Sequence, residues 1–101
     1  DRRVSFFVMD AARFLEQTPN ESYDLIFADT FAGKFTHLDR ALSLLKPGGI
    51  YVVDDLFPQP SWPEGHASKV PRFIADLESR PGLRTARLDC ASGLLVAVKS
   101  A

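Results

Sequence analysis

Short apolar runs alternate along the chain with stretches that carry their apolar residues at helical spacing. VSFFVM (4–9), YDLIFAD (23–29), GIYVVDD (49–55) and GLLVAVK (93–99) are strand-like runs rich in β-branched and aromatic residues. Between them, AARFLEQ (11–17) reads as a short helix that turns Phe14 and Leu15 inward. Leu38, Ala41, Leu42 and Leu45 give the i, i+3, i+4, i+7 stripe of a second helix, with Thr36 and Asp39 spaced as a capping box at its start. KPGG (46–49) stops that helix, because proline cannot continue it and glycine suits a left-handed cap. LFPQPSWPEG (56–65) holds three prolines and predicts irregular structure. Val70, Phe73, Ile74 and Leu77 mark a third helix, in which Pro71 is tolerated if it falls in the first turn. LRTARLD (83–89), joined through CAS and Gly93 to the last apolar run, predicts a terminal antiparallel hairpin.

The order β-α-β-α-β-α-β-β, with strands apolar throughout, predicts an α/β fold: a mainly parallel, doubly wound sheet covered on both faces. On this reading Asp10 follows the first strand, Asp29 the second, and Asp54 with Asp55 the third. The carboxyl edge of such a sheet is where ligands bind. Like charges gathered there repel and raise one another's pKa, so a positive or hydrogen-bond-donating partner is expected among them: an amino group, a sugar hydroxyl or a divalent cation. For Asp10, just before AARFL, capping of the next helix is an equally good explanation. The pair at 54 and 55 precedes a proline-rich loop rather than a helix, so capping accounts for little there.

Composition narrows the classes. With 101 residues, 46% hydrophobic and 25% charged, the chain has the make-up of one globular domain. The 12 basic and 13 acidic residues are mixed, which excludes a basic nucleic-acid footprint and a polybasic membrane anchor. No apolar run reaches the ~20 residues of a membrane span. The single cysteine, Cys90, fits a reducing, cytoplasmic setting and has no neighbour that makes it a nucleophile. His37 and His66 are read as exposed or capping residues. Phe57 and Trp62, in the proline-rich loop, either wall an acceptor pocket or staple the loop to the core.

FADTFAGKFTHLDRALSLLKPGGIYVVDDL (27–56) resembles the central stretch of class I S-adenosylmethionine-dependent methyltransferases, and in particular bacterial O-methyltransferases of the catechol and caffeoyl-CoA type. The resemblance runs from Val4 to Lys99 and implies the C-terminal portion of a Rossmann-like methyltransferase sheet, with about five strands and three helices. It implies S-adenosylmethionine as cofactor and a small-molecule methyl acceptor. Asp10 then accepts the adenine amino group, with the Ala11 backbone beside the ring. Asp29, Asp54 and Asp55 stand where metal-dependent members hold Mg²⁺ or Ca²⁺, the second member of the pair being Asp instead of Asn. Asp29 is also carried over to the cofactor and catalytic set. Lys34 stands near the position of the lysine that assists deprotonation of the acceptor hydroxyl, two residues further from the acid than in the catechol enzymes, and a solvated surface lysine is the slightly favoured alternative.

The six glycines contain no cluster that would cradle a cofactor. Residues 1–101 are therefore expected to be a partial methyltransferase domain lacking the glycine-rich cofactor loop, with weak cofactor affinity of its own. The first predicted strand is then left without its neighbour, so the expectations are a truncated chain, a homodimer that repairs the edge, or a rearranged sheet. Two other classes compete with this one. YVVDDL resembles the paired-acid strand of a phospho-acceptor receiver domain, but the 46 residues after Asp55 are too few for that fold. The other is a non-catalytic half-domain that associates with a partner chain.

Overall fold

YDLIFA forms strand β1 (Tyr23–Ala28), and β2 (Leu45–Val53) runs parallel beside it. The terminal hairpin is present as β3 (Leu83–Leu88) and β4 (Leu94–Lys99), and β4 inserts antiparallel between β2 and β3. The sheet order is thus β1-β2-β4-β3. Helices α1 (Ala11–Gln17), α2 (Leu38–Ser43) and α3 (His66–Ser79) complete the fold. The computed structural model describes residues 1–100. None of the helices is long and apolar enough to cross a membrane.

The core lies on one side of the sheet. Ile26, Tyr51 and Ala97 align across three strands, as do Ala28, Val53 and Leu95. Leu38 and Leu42 of α2 and Val70, Phe73 and Leu77 of α3 close over them. One guanidinium holds the two helices together: Arg80 bonds Asp76 near the end of α3 (3.0 and 3.2 Å) and Asp39 in the first turn of α2 (2.6 Å). Helix α1 packs on the flank of α2 through Leu15, Ala41 and Leu44, and Arg40 donates to the carbonyls of Leu15 and Thr18.

The opposite face is bare, which corrects the expectation of cover on both sides. Leu25 aligns with Ile50 and Val98, and Phe27 with Val52 and Val96, by the two-residue alternation of strands. Leu25 and Phe27 are 59% and 54% exposed. Residues 4–9, expected as a strand, form none: Phe6 and Val8 stand almost fully in solvent. A strand needs a neighbour for its backbone groups, and within the described residues these six have none. Four strands are present, therefore, where about five were expected.

Three local expectations also change. Thr36 does not cap α2: its hydroxyl donates to the Phe31 carbonyl, and the N-cap is His37 in a left-handed conformation (φ 55°). LKPGG does more than end α2. It already pairs as the start of β2, with Tyr23 opposite Leu45 and Leu25 opposite Ile50, so four residues bulge between them. Pro71 is the sixth residue of α3 and not in its first turn, leaving the Ala67 carbonyl without the helical bond it would otherwise accept.

Candidate functional site

Parallel pairing of β1 and β2 puts Ala28 beside Val53, so the residues that follow, Asp29 and Asp54, leave the sheet side by side at its carboxyl end. Asp55 comes next in a left-handed conformation (φ 61°), uncommon for a residue with a side chain but one that aspartate adopts more readily than most. Two bonds hold it there. Its N–H donates to the Ser92 hydroxyl (3.1 Å), and its Oδ2 accepts the Trp62 indole N–H (3.0 Å). The β3–β4 turn and the proline-rich loop both converge on this one residue.

The positive partner that these acids call for is Lys34. It is only 6% exposed, and its ammonium donates to the Asp54 carbonyl (2.9 Å). Burial lowers its pKa below the usual 10.5, against the opposing fields of Asp55, Asp54 and Asp29. The loop carrying it is fixed from below: the buried Tyr51 hydroxyl donates to the Gly33 carbonyl (2.6 Å), and the Gly33 N–H donates to the Thr36 carbonyl (2.6 Å). Gly33 itself has φ 91°, a conformation that glycine adopts without strain.

The predicted residues therefore divide into two groups. Asp29, Asp54, Asp55 and Lys34 come together on one rim. Asp10 and Ala11 lie at the start of α1, and among the described residues no hydrogen bond or ion pair joins them to that rim. Asp10 makes no side-chain cap, so its exposed carboxylate is free, and Ala11 shares an apolar hollow of about 260 Å³ with Phe7, Met9 and Phe14. A free carboxylate beside an apolar hollow suits a flat base that bears an amino group, so these residues fit the adenine end of S-adenosylmethionine.

A metal fits less well. Asp29, Asp54 and Asp55 do not gather as ligands for Mg²⁺ or Ca²⁺: among the described residues no three His, Cys, Asp or Glu side chains are placed to hold an ion. Asp55 is turned to the indole of Trp62, one Asp54 oxygen is sealed inside the protein, and the Lys34 ammonium already supplies the local positive charge. On that ground the residues as placed do not fit the expected cation set.

His66 is neither the exposed residue nor the cap expected of it. It is buried among the rings of Phe31, Phe35 and Trp62, at 6.0, 5.1 and 4.6 Å between centroids, and neither ring nitrogen has a partner among the described residues. Trp62 staples the loop through Asp55, whereas Phe57 stays exposed. The Tyr51–Gly33 and Trp62–Asp55 bonds have no motif in the sequence that would announce them.

No protein-family model matches the chain, and no curated protein matches it. Solved structures do. A Corynebacterium glutamicum protein superposes with a TM-score of 0.83 at 24% identity, over 99% of this chain and 49% of that one. A methyltransferase of Podospora anserina bound to S-adenosylhomocysteine (SAH) gives 0.74 at 21%, over 92% and 47%. An O-methyltransferase of Bacillus cereus, also in complex with SAH, gives 0.68 at 20%, over 89% and 46%. The chain spans about half the length of these structures. It has, over that span, the Rossmann-like α/β fold of the O-methyltransferases.

Proposed function

We propose that the chain is the C-terminal portion of an S-adenosylmethionine-dependent methyltransferase domain, acting on an oxygen of a small-molecule acceptor in the cytoplasm. The observation that carries this is the buried Lys34 amine on a rim of three carboxylates at the carboxyl end of parallel strands. The shared fold with SAH-bound methyltransferases supports it.

When bound, S-adenosylmethionine supplies a methyl group activated by its sulfonium. The chain's own residues do the rest. Asp10 and the hollow lined by Ala11 would hold the adenine end, with the Asp10 carboxylate accepting its amino group, and Asp29 would contribute from the rim. Lys34, in its neutral form, takes the proton of the acceptor hydroxyl. The ammonium so formed donates to the Asp54 carbonyl and sits in the fields of Asp55, Asp54 and Asp29. Burial helps by making the neutral amine easier to reach, and positioning supplies most of the remaining advantage.

The test is methyl transfer from labelled donor to a panel of hydroxyarenes, alongside cofactor binding by calorimetry. Lys34→Met should lower turnover about a hundredfold with cofactor affinity unchanged. Asp10→Asn should weaken the cofactor about tenfold and leave the saturated rate within about twofold. Equal turnover in Lys34→Met would overturn the assignment.

The bare sheet face favours a second reading, a half-domain that works by association with a partner chain, including a second copy in a homodimer. Leu25, Phe27, Ile50 and Val98 expose a contiguous apolar surface of the kind that marks an interface. Sedimentation separates the readings: a monomer with turnover supports the first, and an inactive assembly supports the second.

A further inference from the structure

Between the loop that follows β1 and the outer side of α3 lies a cavity of about 390 Å³, within the range of small-molecule sites. Phe31, Phe35 and Phe73 wall it. Their rings meet edge to face, with Phe31 and Phe35 5.2 Å apart and Phe35 and Phe73 5.5 Å apart, so the wall offers both ring faces and ring edges to an aromatic ligand. Three cations line the same space: Lys34, Lys69 and Arg72. Two stand over the rings, Lys69 5.3 Å from the centroid of Phe31 and Lys34 5.2 Å from that of Phe35.

The charge balance makes the cavity distinctive. The chain as a whole carries a net charge of −1, yet this space is positive. Its one carboxylate, Asp76, accepts two bonds from Arg80, which it shares with Asp39, and stands against the three cations. Lys69 and Arg72 are exposed, and among the described residues neither has a carboxylate within ion-pair distance. Lys34 lines this cavity and also bonds the Asp54 carbonyl, so a molecule held here lies against the one residue that the cavity shares with the acid rim.

The geometry points to this cavity as the seat of an anionic aromatic ligand, its ring against Phe31, Phe35 and Phe73 and its carboxylate or phosphate at Lys69 and Arg72. Calling that ligand the methyl acceptor rests on the methyl-transfer reading; the binding itself does not. An arene acid seated this way is anchored by its charge at α3, which leaves a ring hydroxyl free to face Lys34.

The experiment compares hydroxynaphthoate with naphthol, the same ring without the charge, by titration on the probes' own fluorescence. Hydroxynaphthoate should saturate one site at least tenfold more tightly than naphthol, with the difference fading in high salt. Lys69→Gln/Arg72→Gln should erase the difference without moving the melting temperature, since both side chains are exposed. Lys69→Glu/Arg72→Glu should turn the preference toward an arene bearing an ammonium group. Failure of hydroxynaphthoate to saturate, parity with naphthol, or indifference to the glutamine pair would overturn the proposal. If the glutamine pair abolishes the preference while no methyl transfer is found, the cavity stands and the enzymatic reading falls.

Discussion

Replacing Tyr51 by Phe removes one oxygen and nothing else, and that oxygen holds the Lys34 loop. Tyr51 is fully buried, and its hydroxyl donates to the carbonyl of the equally buried Gly33 at 2.6 Å. No other described donor reaches that carbonyl, so the variant leaves a buried acceptor unpaired, which costs about 1–3 kcal/mol. With a urea slope of about 1–3 kcal/mol/M, a loss near 2 kcal/mol moves the midpoint down by about 1 M at unchanged slope. The pH dependence gives a second check. Burial raises the Tyr51 pKa far above its usual 10. The folded chain therefore keeps a proton that the unfolded chain loses above pH 10, and stability falls as pH rises past that point. Tyr51→Phe lacks that loss, so the gap between the two proteins should narrow above pH 10. Denaturation followed by far-ultraviolet circular dichroism at pH 7 and at alkaline pH reads both effects. A midpoint shift below about 0.2 M at pH 7 would refute the claim that this bond anchors the loop.

Three further outcomes are expected. Lys34 has a folded pKa below 10.5, so the unfolded chain binds its proton more tightly and stability rises with pH up to 10.5; Lys34→Met should flatten that part of the profile in the same assay. Gly93→Ala should cost about 3 kcal/mol or more, because φ is 93° and the new methyl would lie 2.8 Å from the Phe57 nitrogen, while Gly48→Ala, at φ 83° in open space, should cost about 1 kcal/mol by urea titration. Phe27→Lys, on the bare face, should leave monomer stability within about 0.5 kcal/mol and reduce self-association in sedimentation velocity.

The elements that bury their own apolar face were readable from sequence. The Leu38–Leu42 stripe, the Val70–Leu77 stripe, strand β2 and strand β4 of the hairpin each carry apolar positions that tertiary contacts then bury. VSFFVM carries an equally strong strand signal and forms none, because propensity supplies no partner for its backbone. The rim was legible in part. Parallel pairing was enough to place Asp29 beside Asp54, and the demand for a positive partner followed from repulsion alone. That the partner would be Lys34 depends on how the tight turn at Gly33 directs the next residue inward, which no spacing rule encodes. The orientation of Asp55 likewise depends on Ser92 and Trp62, the first 37 residues away and the second seven.

Strand β4 comes after β3 in the chain yet lies inside the sheet, between β2 and β3. During synthesis, β3 emerges with no ladder to join and must wait for residues 94–99 to leave the ribosome. A premature stop anywhere before Leu94 would thus delete an inner strand and strand its predecessor, so protein quality control should clear such products far faster than ones shortened at the other end.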